Sequence, residues 1–212
     1  MPEALAPSPA RTTTLFKQCN ITIVADGLQT SVLDAQLFPE LGATKKVLQL
    51  PSLALLEYEG ISFWAEPENR RAVVLDNTGR LSATTPITRL MDRYLAKVPG
   101  VNVMALGLNF FFELVFEEPS VNLMLHRFLQ RDAMVKLGGE PASAGFKVSH
   151  EAKGYLRQMS VDPLWKNGKG VSVLINYHLD SPVTPGRGLQ LQERFTDCMG
   201  DAPLLVAEIA NA

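Results

Sequence analysis

The segment Val101–Phe116 limits what this chain can fold into more than any other part of the sequence, because it is the most apolar element. In an extended conformation, apolar side chains would lie on nearly both of its faces, since side chains alternate along a β-strand. Such a strand must be covered on both sides, by the rest of the chain or at a subunit contact. The sequence therefore predicts a central strand here. One face would carry Met104, Leu106, Leu108, Phe110, Phe112, Leu114 and Phe116.

The composition is that of an ordinary globular protein. Of the 212 residues, 46% are hydrophobic and 20% are charged, and the formal net charge is −2. These values exclude disordered, collagen-like and disulfide-scaffold proteins. A charge so close to zero also argues against nucleic-acid binding, which needs a basic surface for phosphate contacts. We therefore expect no nucleic-acid partner.

The sequence predicts a soluble, cytoplasmic protein. Residues 1–14 contain several prolines and alanines but lack the basic start and the apolar core of a signal peptide. No stretch reaches the roughly 20 apolar residues of a membrane-spanning helix, so no membrane contact is expected. The two cysteines, Cys19 and Cys198, cannot staple a fold of this size. A buried free thiol at Cys198 fits a reducing compartment.

Hydrophobic periodicity predicts both helices and strands. Three main helices are expected: after Thr85-Pro86, where threonine would cap the helix, after Ser120, and over Leu189–Met199. A short helix is expected within Ser31–Leu41, and Leu204–Ile209 would be a final strand or a helical tail. Strands are predicted over Asn20–Ala25, Lys45–Leu50, Leu53–Glu59, Ile61–Ala65, Arg71–Leu75, Phe146–Ser149, Tyr155–Val161 and Val171–Asp180.

The last predicted hairpin has a register conflict. Asn167-Gly168 is typical of a two-residue type I′ turn. Simple pairing across that turn would set Val173 opposite a polar residue and spoil the apolar face. A one-residue bulge near Asp162-Pro163 would instead pair Val161 with Val173, and proline is tolerated at bulges. The sequence therefore predicts such a bulge.

Together these elements favour an α+β fold, a mainly antiparallel sheet with three main helices. The order strand, helix, hairpin strands, helix occurs from Asn20 to Val98 and again from Val101 to Met199. This is the order of a split β-α-β, or ferredoxin-like, unit. The sequence thus predicts a flexible arm at residues 1–14 and two α+β halves at residues 15–100 and 101–212. The alternative is one compact unit whose repetition is accidental.

Five polar residues are candidates for a binding site. His178 shares the polar face of its predicted strand with Asn176 and Asp180, because side chains alternate with period two. His178 oriented by Asp180 could act as a general base. Asn109 and Arg157 would add polar groups if the sheet face formed a pocket. The other interpretation is a sheet face that is open to solvent or covered by a partner.

Other patterns give little support for catalysis or for a cofactor. His150 and His178 could bind a metal ion if their strands were neighbours, but a catalytic zinc site takes three protein ligands and no short spacing supplies them. Ser143 lies between a predicted helix and a strand, the reverse of a nucleophile elbow. The glycines around Arg187 could hold an anion but match no phosphate-binding motif. We therefore expect neither a metal nor a cofactor.

Two functional hypotheses result. The first is a non-catalytic protein-interaction or assembly protein that self-associates, most simply as a homodimer, and so covers the Val101–Phe116 strand. The second is a small-molecule-binding protein or enzyme with a pocket on the sheet face near Asn176 and His178. The sequence favours the first, and therefore a protein that is not an enzyme. The two differ in one observable respect, because the polar candidates converge on a cavity only in the second.

Overall fold

The computed structural model describes residues 12–33, 46–116, 145–164, 170–182 and 188–211. These contain two α-helices and a short 3-10 helix, Thr30–Val32, at the place where a helix within Ser31–Leu41 was expected. The helix predicted after Ser120 and the turn predicted at Asn167-Gly168 lie outside the described residues. The elements are β1 (Thr12–Asp26), β2 (Lys46–Gln49), β3 (Ala54–Tyr58), β4 (Ile61–Glu66), β5 (Arg71–Asp76), α1 (Ile87–Lys97), β6 (Asn102–Phe116), β7 (Phe146–Ala152), β8 (Tyr155–Pro163), β9 (Gly170–Asp180) and α2 (Leu191–Asn211).

All of these strands form one nine-stranded sheet in the order β2-β3-β4-β5-β1-β6-β9-β8-β7. Every neighbouring pair is antiparallel. β1 and β6 are the longest strands, at 15 residues each, and they pair with each other in the middle of the sheet. Both are rich in β-branched or aromatic residues, which fit a pleated and half-buried surface. The prediction that Val101–Phe116 is a central strand is confirmed.

Both described helices pack on the same face of the sheet, which we call the inner face. α1 contacts β1 and β5, and α2 contacts β1, β6 and β9. The ring centroids of Tyr94 in α1 and Phe63 in β4 are 5.1 Å apart. Those of Phe195 in α2 and Phe110 in β6 are 5.3 Å apart. All four side chains are fully buried. Alternate residues of each strand lie on the opposite face, which neither helix covers and which we call the outer face.

The three main helices and the two ferredoxin-like halves predicted from the sequence are wrong. The described residues hold two α-helices beside a single, mainly antiparallel sheet. Each predicted half needed its own sheet, whereas all nine strands share one sheet in which β2, β3, β4 and β5 follow one another as an antiparallel meander without a helix between them. The reason for the error is that periodicity identifies strands without identifying their partners. β1 and β6, one from each predicted half, pair directly along their whole length.

The helix predicted over Leu189–Met199 and the tail predicted at Leu204–Ile209 form one continuous helix, α2. Pro203 lies inside it and removes one backbone hydrogen bond. The helix continues because a buried stripe runs on past the proline at helical spacing. Neither α2 nor any other helix among the described residues has the length and apolar character needed to cross a membrane. The stripe consists of Leu191, Phe195, Cys198, Ala202, Val206 and Ile209.

The pairing predicted between β8 and β9 is present, but the bulge predicted near Asp162-Pro163 is not. Val161 lies opposite Val173, and the ladder continues without a shift to Pro163 opposite Val171. The Leu164 N–H donates to the Gly170 carbonyl over 2.9 Å, so the ladder continues to the last described residue before the connection on each strand. No bulge among the described residues of β8 and β9 therefore absorbs the one-residue offset.

The start of α1 differs from the predicted threonine cap. Pro86 precedes the first helical residue and makes no side-chain capping hydrogen bond. The Thr85 hydroxyl donates to Asp76 Oδ2 over 2.6 Å. Asp76 is buried at the end of β5 and also accepts hydrogen bonds from the amide and hydroxyl of Thr78. A buried carboxylate needs such donors. The Thr85 hydroxyl is therefore bonded to Asp76 and does not cap α1.

β1 begins at Thr12, so the strand includes the last three residues of the segment predicted as a flexible arm. These residues pair with Leu114, Val115 and Phe116 of β6. Residues 1–11 lie outside the described residues. The division of the chain at residue 100 stays a prediction.

We expect the contact of Phe195 with Phe110 to be a main source of stability. Phe195→Ala should lower the free energy of unfolding by about 3–5 kcal/mol, because it removes a fully buried ring and leaves a cavity. Urea denaturation followed by circular dichroism measures the loss. Leu204 of the same helix is 66% exposed, so Leu204→Ala is the matched control and should cost less than about 0.5 kcal/mol. Equal losses for the two variants would contradict the packing of α2 described above.

Candidate functional site

Three asparagines form a hydrogen-bonded row across the middle of the outer face. Asn20 of β1 lies opposite Asn109 of β6, which lies opposite Asn176 of β9. Asn176 Nδ2 donates to Asn109 Oδ1 over 2.7 Å, and Asn109 Nδ2 donates to Asn20 Oδ1 over 2.8 Å. The Thr22 hydroxyl donates to the same Asn20 oxygen. Since unpaired polar groups in half-buried strands are costly, this row allows two candidate residues, Asn109 and Asn176, to lie in the central strands.

His178 and Asp180 lie together near the end of β9 on the outer face. His178 Nε2 is 3.1 Å from Asp180 Oδ1, and the side chains are 36% and 85% exposed. A polar contact this open to water contributes little. The cross-strand neighbours of His178 are Gly107 and Leu156, which carry no polar side chain. A general base needs a substrate held within hydrogen-bond reach, and these neighbours supply no group to hold one.

Arg157 of β8 lies on the inner face, away from the other four candidates. Its Nη1 donates to Asp201 Oδ2 over 2.8 Å, and its Nε donates to His150 Nε2 over 2.8 Å. Its side chain is only 14% exposed. The candidates predicted from the sequence therefore lie on two opposite faces and do not converge on one cavity.

Asp201 of α2, which the sequence analysis missed, joins the helix to the sheet. Its carboxylate accepts hydrogen bonds from Arg157, from the Tyr177 hydroxyl over 2.9 Å, and from Lys153 Nζ over 2.9 Å. Burial raises the pKa of the Asp201 carboxyl, but the bonds from Lys153, Tyr177 and Arg157 outweigh burial and hold the pKa below its ordinary value. The charged carboxylate therefore fixes α2 to the β7–β8 hairpin.

A cavity of about 500 Å³ lies beside this cluster, between the first half of α2 and the β7–β8 hairpin. Its walls carry both signs of charge, with cations from Lys153 and Arg194 and anions from Glu193 and Asp197. Neither Asn176 nor His178 lines it. Its volume is in the range of small-molecule sites. The lining residues are Lys153, Tyr155, Gln190, Glu193, Arg194, Asp197, Cys198 and Asp201.

The cysteine in this cavity is a weak nucleophile. Burial raises the pKa of the Cys198 thiol to about 12, and the carboxylates of Asp201 and Asp197 act in the same direction. Burial and the charge of Asp76 likewise raise the pKa of Cys19 to about 12. Because the thiolate is the reactive form, both cysteines stay in the unreactive thiol form at neutral pH.

The sequence did contain a signal for the Asp201 cluster. Arg194, Asp197 and Asp201 recur at helical spacing beside the buried Cys198, which places them along one side of a helix. The signal was lost because the predicted helix ended at Met199. No sequence signal connects Asp201 with Arg157, since 44 residues separate them.

The two histidines considered as a metal pair do not meet. His150 lies on the inner face opposite Arg157, whereas His178 lies on the outer face, and β8 separates their strands. Within the described ranges, no group of three or more His, Cys, Asp or Glu side chains is arranged to hold a metal ion.

β7 ends the sheet on one side, and in the described part of the chain only β8 pairs with it. It is seven residues long, contains no proline, and is exposed from Lys147 to Glu151. The other edge differs, because β2 has four residues and Pro51 follows closely. Natural sheets protect their edges with short strands, prolines or covering segments. β7 is therefore the more open of the two edges.

The backbone groups of Lys147, Ser149 and Glu151 point away from the sheet. The bond from Leu164 N–H to the Gly170 carbonyl shows that even-numbered residues of β8 bond to β9. The odd-numbered residues of β8 therefore bond to β7, where their partners are even-numbered. The odd-numbered residues of β7 are left with amides and carbonyls that face outward, and no strand among the described residues pairs with them.

We expect the charge of Asp201 to stabilise the fold at neutral pH. Asp201→Asn should lower the free energy of unfolding by about 2 kcal/mol at pH 7, because it weakens the hydrogen bonds from the buried Tyr177 hydroxyl and the largely buried Arg157 guanidinium. The folded-state pKa lies below the ordinary value of 3.8, so the difference from wild type should be full above pH 3.8 and disappear as the pH falls below it. Chemical denaturation at a series of pH values measures this.

Asp197→Asn is the matched control, since no hydrogen bond or ion pair joins the Asp197 carboxylate to the described residues. It should change stability by less than about 0.5 kcal/mol. A loss at Asp201→Asn that does not change with pH would contradict a charged carboxylate at this position.

Comparison with known proteins identifies no relative from which a function could be inferred, so a functional proposal depends on the residues and their arrangement. No protein-family model matches this chain, and a search of curated proteins finds no match. Among the described residues, the cavity beside Asp201 and the open edge at β7 are two candidate functional surfaces.

Proposed function

We propose that this protein is a non-catalytic interaction protein that self-associates through its sheet, most simply as a homodimer. The observation that carries the proposal is the open edge of β7, with outward backbone groups at Lys147, Ser149 and Glu151. A row of such groups is a template for another strand. Addition of a strand to a sheet edge is a recurrent mode of protein association.

Apolar side chains near this edge support the proposal. Val148 of β7 is 44% exposed on the inner face, and Leu156 of β8 is 38% exposed on the outer face. An added strand would lie next to β7, so its side chains would contact Val148 directly, whereas Leu156 lies one strand further from the edge. Burial of apolar surface contributes about 25 cal/mol per Å², so covering Val148 would favour association.

The need for a partner over β6 is weaker than the sequence suggested. α2 covers the inner face of this strand. On the outer face, Phe111 is half-buried and lies between Asn109 and Glu113, and Glu113 forms an ion pair with Lys17 at 3.3 Å. An outer face with an amide and a charged pair does not require apolar cover. The support for self-association therefore comes from β7.

The proposal includes a cytoplasmic location without a nucleic-acid partner. Cys19 and Cys198 are both free and buried, which supports a reducing compartment. The net charge of −2 gives no general attraction to phosphate.

We expect the purified protein to be a dimer, with twice the chain mass of 23.3 kDa. Ser149→Pro should shift it to monomer, because proline removes an outward N–H that no described strand uses and that a partner strand would need. Ser149→Ala keeps that N–H and should stay dimeric. Native mass spectrometry and light scattering after gel filtration measure the mass of each variant. A wild-type monomer at micromolar concentration would refute the proposal.

A second candidate function is small-molecule binding, which the cavity of about 500 Å³ beside Asp201 favours. Arg194 and Lys153 could hold an anionic group, and Asp197 and Glu193 could hold a cationic one. This arrangement suits a zwitterion such as a free amino acid. The cavity lies on the inner face, not on the outer face near Asn176 and His178 where the sequence suggested a pocket.

For this second candidate, we expect at least one free amino acid to raise the melting temperature. At one hundred times its Kd, a ligand adds about 2.7 kcal/mol, which should raise Tm by about 5 °C or more. A thermal-shift screen of the free amino acids measures the effect. Asp197→Asn should reduce the shift, and Glu208→Gln, later in the same helix, should leave it unchanged. If no amino acid raises Tm, this candidate is wrong.

A further inference from the structure

We infer that two copies of the chain pair along β7 about a twofold axis beside Ser149. The inference rests on the proposed self-association and assigns its interface and register. In this arrangement the two β7 strands run antiparallel, and the nine-stranded sheets of the two copies become continuous.

The backbone of β7 restricts the possible registers. Antiparallel strands exchange hydrogen bonds only between residues whose N–H and C=O groups both face the partner. On β7 these are Lys147, Ser149 and Glu151. An axis beside Ser149 sets Ser149 opposite Ser149 of the partner subunit and uses all three residues. An axis shifted along the strand leaves at least one of them opposite a residue outside Phe146–Ala152.

The charges of β7 select the same register. With the axis beside Ser149, Lys147 lies opposite Glu151 of the partner subunit, and the symmetry repeats this pair. Opposite charges at such positions stabilise a strand pair, whereas like charges directly opposite each other destabilise it. An axis beside Lys147 or beside Glu151 would set that residue opposite its own copy.

These two charged residues therefore have a selective role at the edge. Charged side chains on an edge strand discourage indiscriminate pairing with other chains. Lys147 and Glu151 are equally far from Ser149 and lie on the same face, because side chains alternate along the strand. The edge is thus complementary to itself, as an isologous interface requires.

The inner-face residues of β7 are compatible with this register. Val148 would lie opposite His150 of the partner subunit. The exposed fraction of Val148, 44% in the single chain, would fall as the imidazole covers it. His150 is already held in place by the guanidinium of Arg157. The contact therefore requires little rearrangement of either side chain.

Charge reversal tests the register. Lys147→Glu and Glu151→Lys should each raise the dimer Kd about 10-fold or more, because each variant sets like charges opposite each other twice. The double variant Lys147→Glu/Glu151→Lys should return to within about 3-fold of wild type. Sedimentation equilibrium at low salt gives the Kd values. Arg89→Glu, on an exposed position of α1, changes the net charge by the same −2 as Lys147→Glu and should leave the Kd unchanged.

Mixing the two single variants gives a second test that does not depend on comparing separate preparations. The Lys147→Glu chain carries a carboxylate at both positions, and the Glu151→Lys chain carries an ammonium group at both. Both pairs of residue 147 with residue 151 between the two chains are therefore again of opposite charge. We expect heterodimers at close to the wild-type affinity, detected by affinity capture when one variant carries a tag. Circular dichroism of each variant confirms folding.

The outcomes distinguish this interface from the proposed function. A wild-type monomer would overturn both. A wild-type dimer whose Kd is unaffected by either charge reversal would overturn the β7 register and leave self-association standing. Weakened single variants that neither the double variant nor the mixture restores would also overturn the register.

Discussion

The antiparallel pairing of β1 with β6 is the interaction on which the rest of the structure depends. The two strands pair from Thr12 opposite Phe116 to Asp26 opposite Asn102. Because side chains alternate along a strand, this register decides which residues face α1 and α2 and which face outward. A slip of one residue would expose the isoleucines of β1 that lie in the core and would bury its threonine and asparagine. The remaining strands follow on either side of this pair, beginning with β5 next to β1 and β9 next to β6.

One consequence is that the inner face of the sheet carries the apolar core and the outer face carries a row of polar side chains. α2 lies over β1, β6 and β9, so the apolar core is concentrated under the middle of the inner face. The outer face keeps Asn20, Asn109 and Asn176 in a row where each amide bonds to the next. Mutual hydrogen bonding removes most of the cost of placing amides in central strands. Two of the residues that suggested a binding site, Asn109 and Asn176, therefore have a structural role as hydrogen-bonded neighbours within the sheet.

The local elements and the pairing of the neighbouring strands β8 and β9 were predictable, whereas contacts between residues far apart in the sequence were not. Most strands and α1 were found because alternation and helical spacing depend on residues that are close in sequence. The pairing of Asn20 with Asn109 joins residues 89 apart, and that of Asp201 with Arg157 joins residues 44 apart. No periodicity reports such separations. α2 was divided because Gly200 and Pro203 weaken a helix locally, whereas burial of Ala202 and Val206 outweighs that weakness.

The Asp201 cluster connects the core of the protein with the proposed interface. Asp201 holds Lys153 in the β7–β8 turn and Arg157 in β8, and Arg157 in turn holds His150 of β7. An edge strand has one neighbouring strand fewer than a central strand, so it loses more conformational freedom when it pairs. A strand that is already held in place has less freedom to lose, which favours association. The Asp201 cluster therefore holds β7 in place, and the proposed self-association should depend on a carboxylate that lies outside the proposed interface.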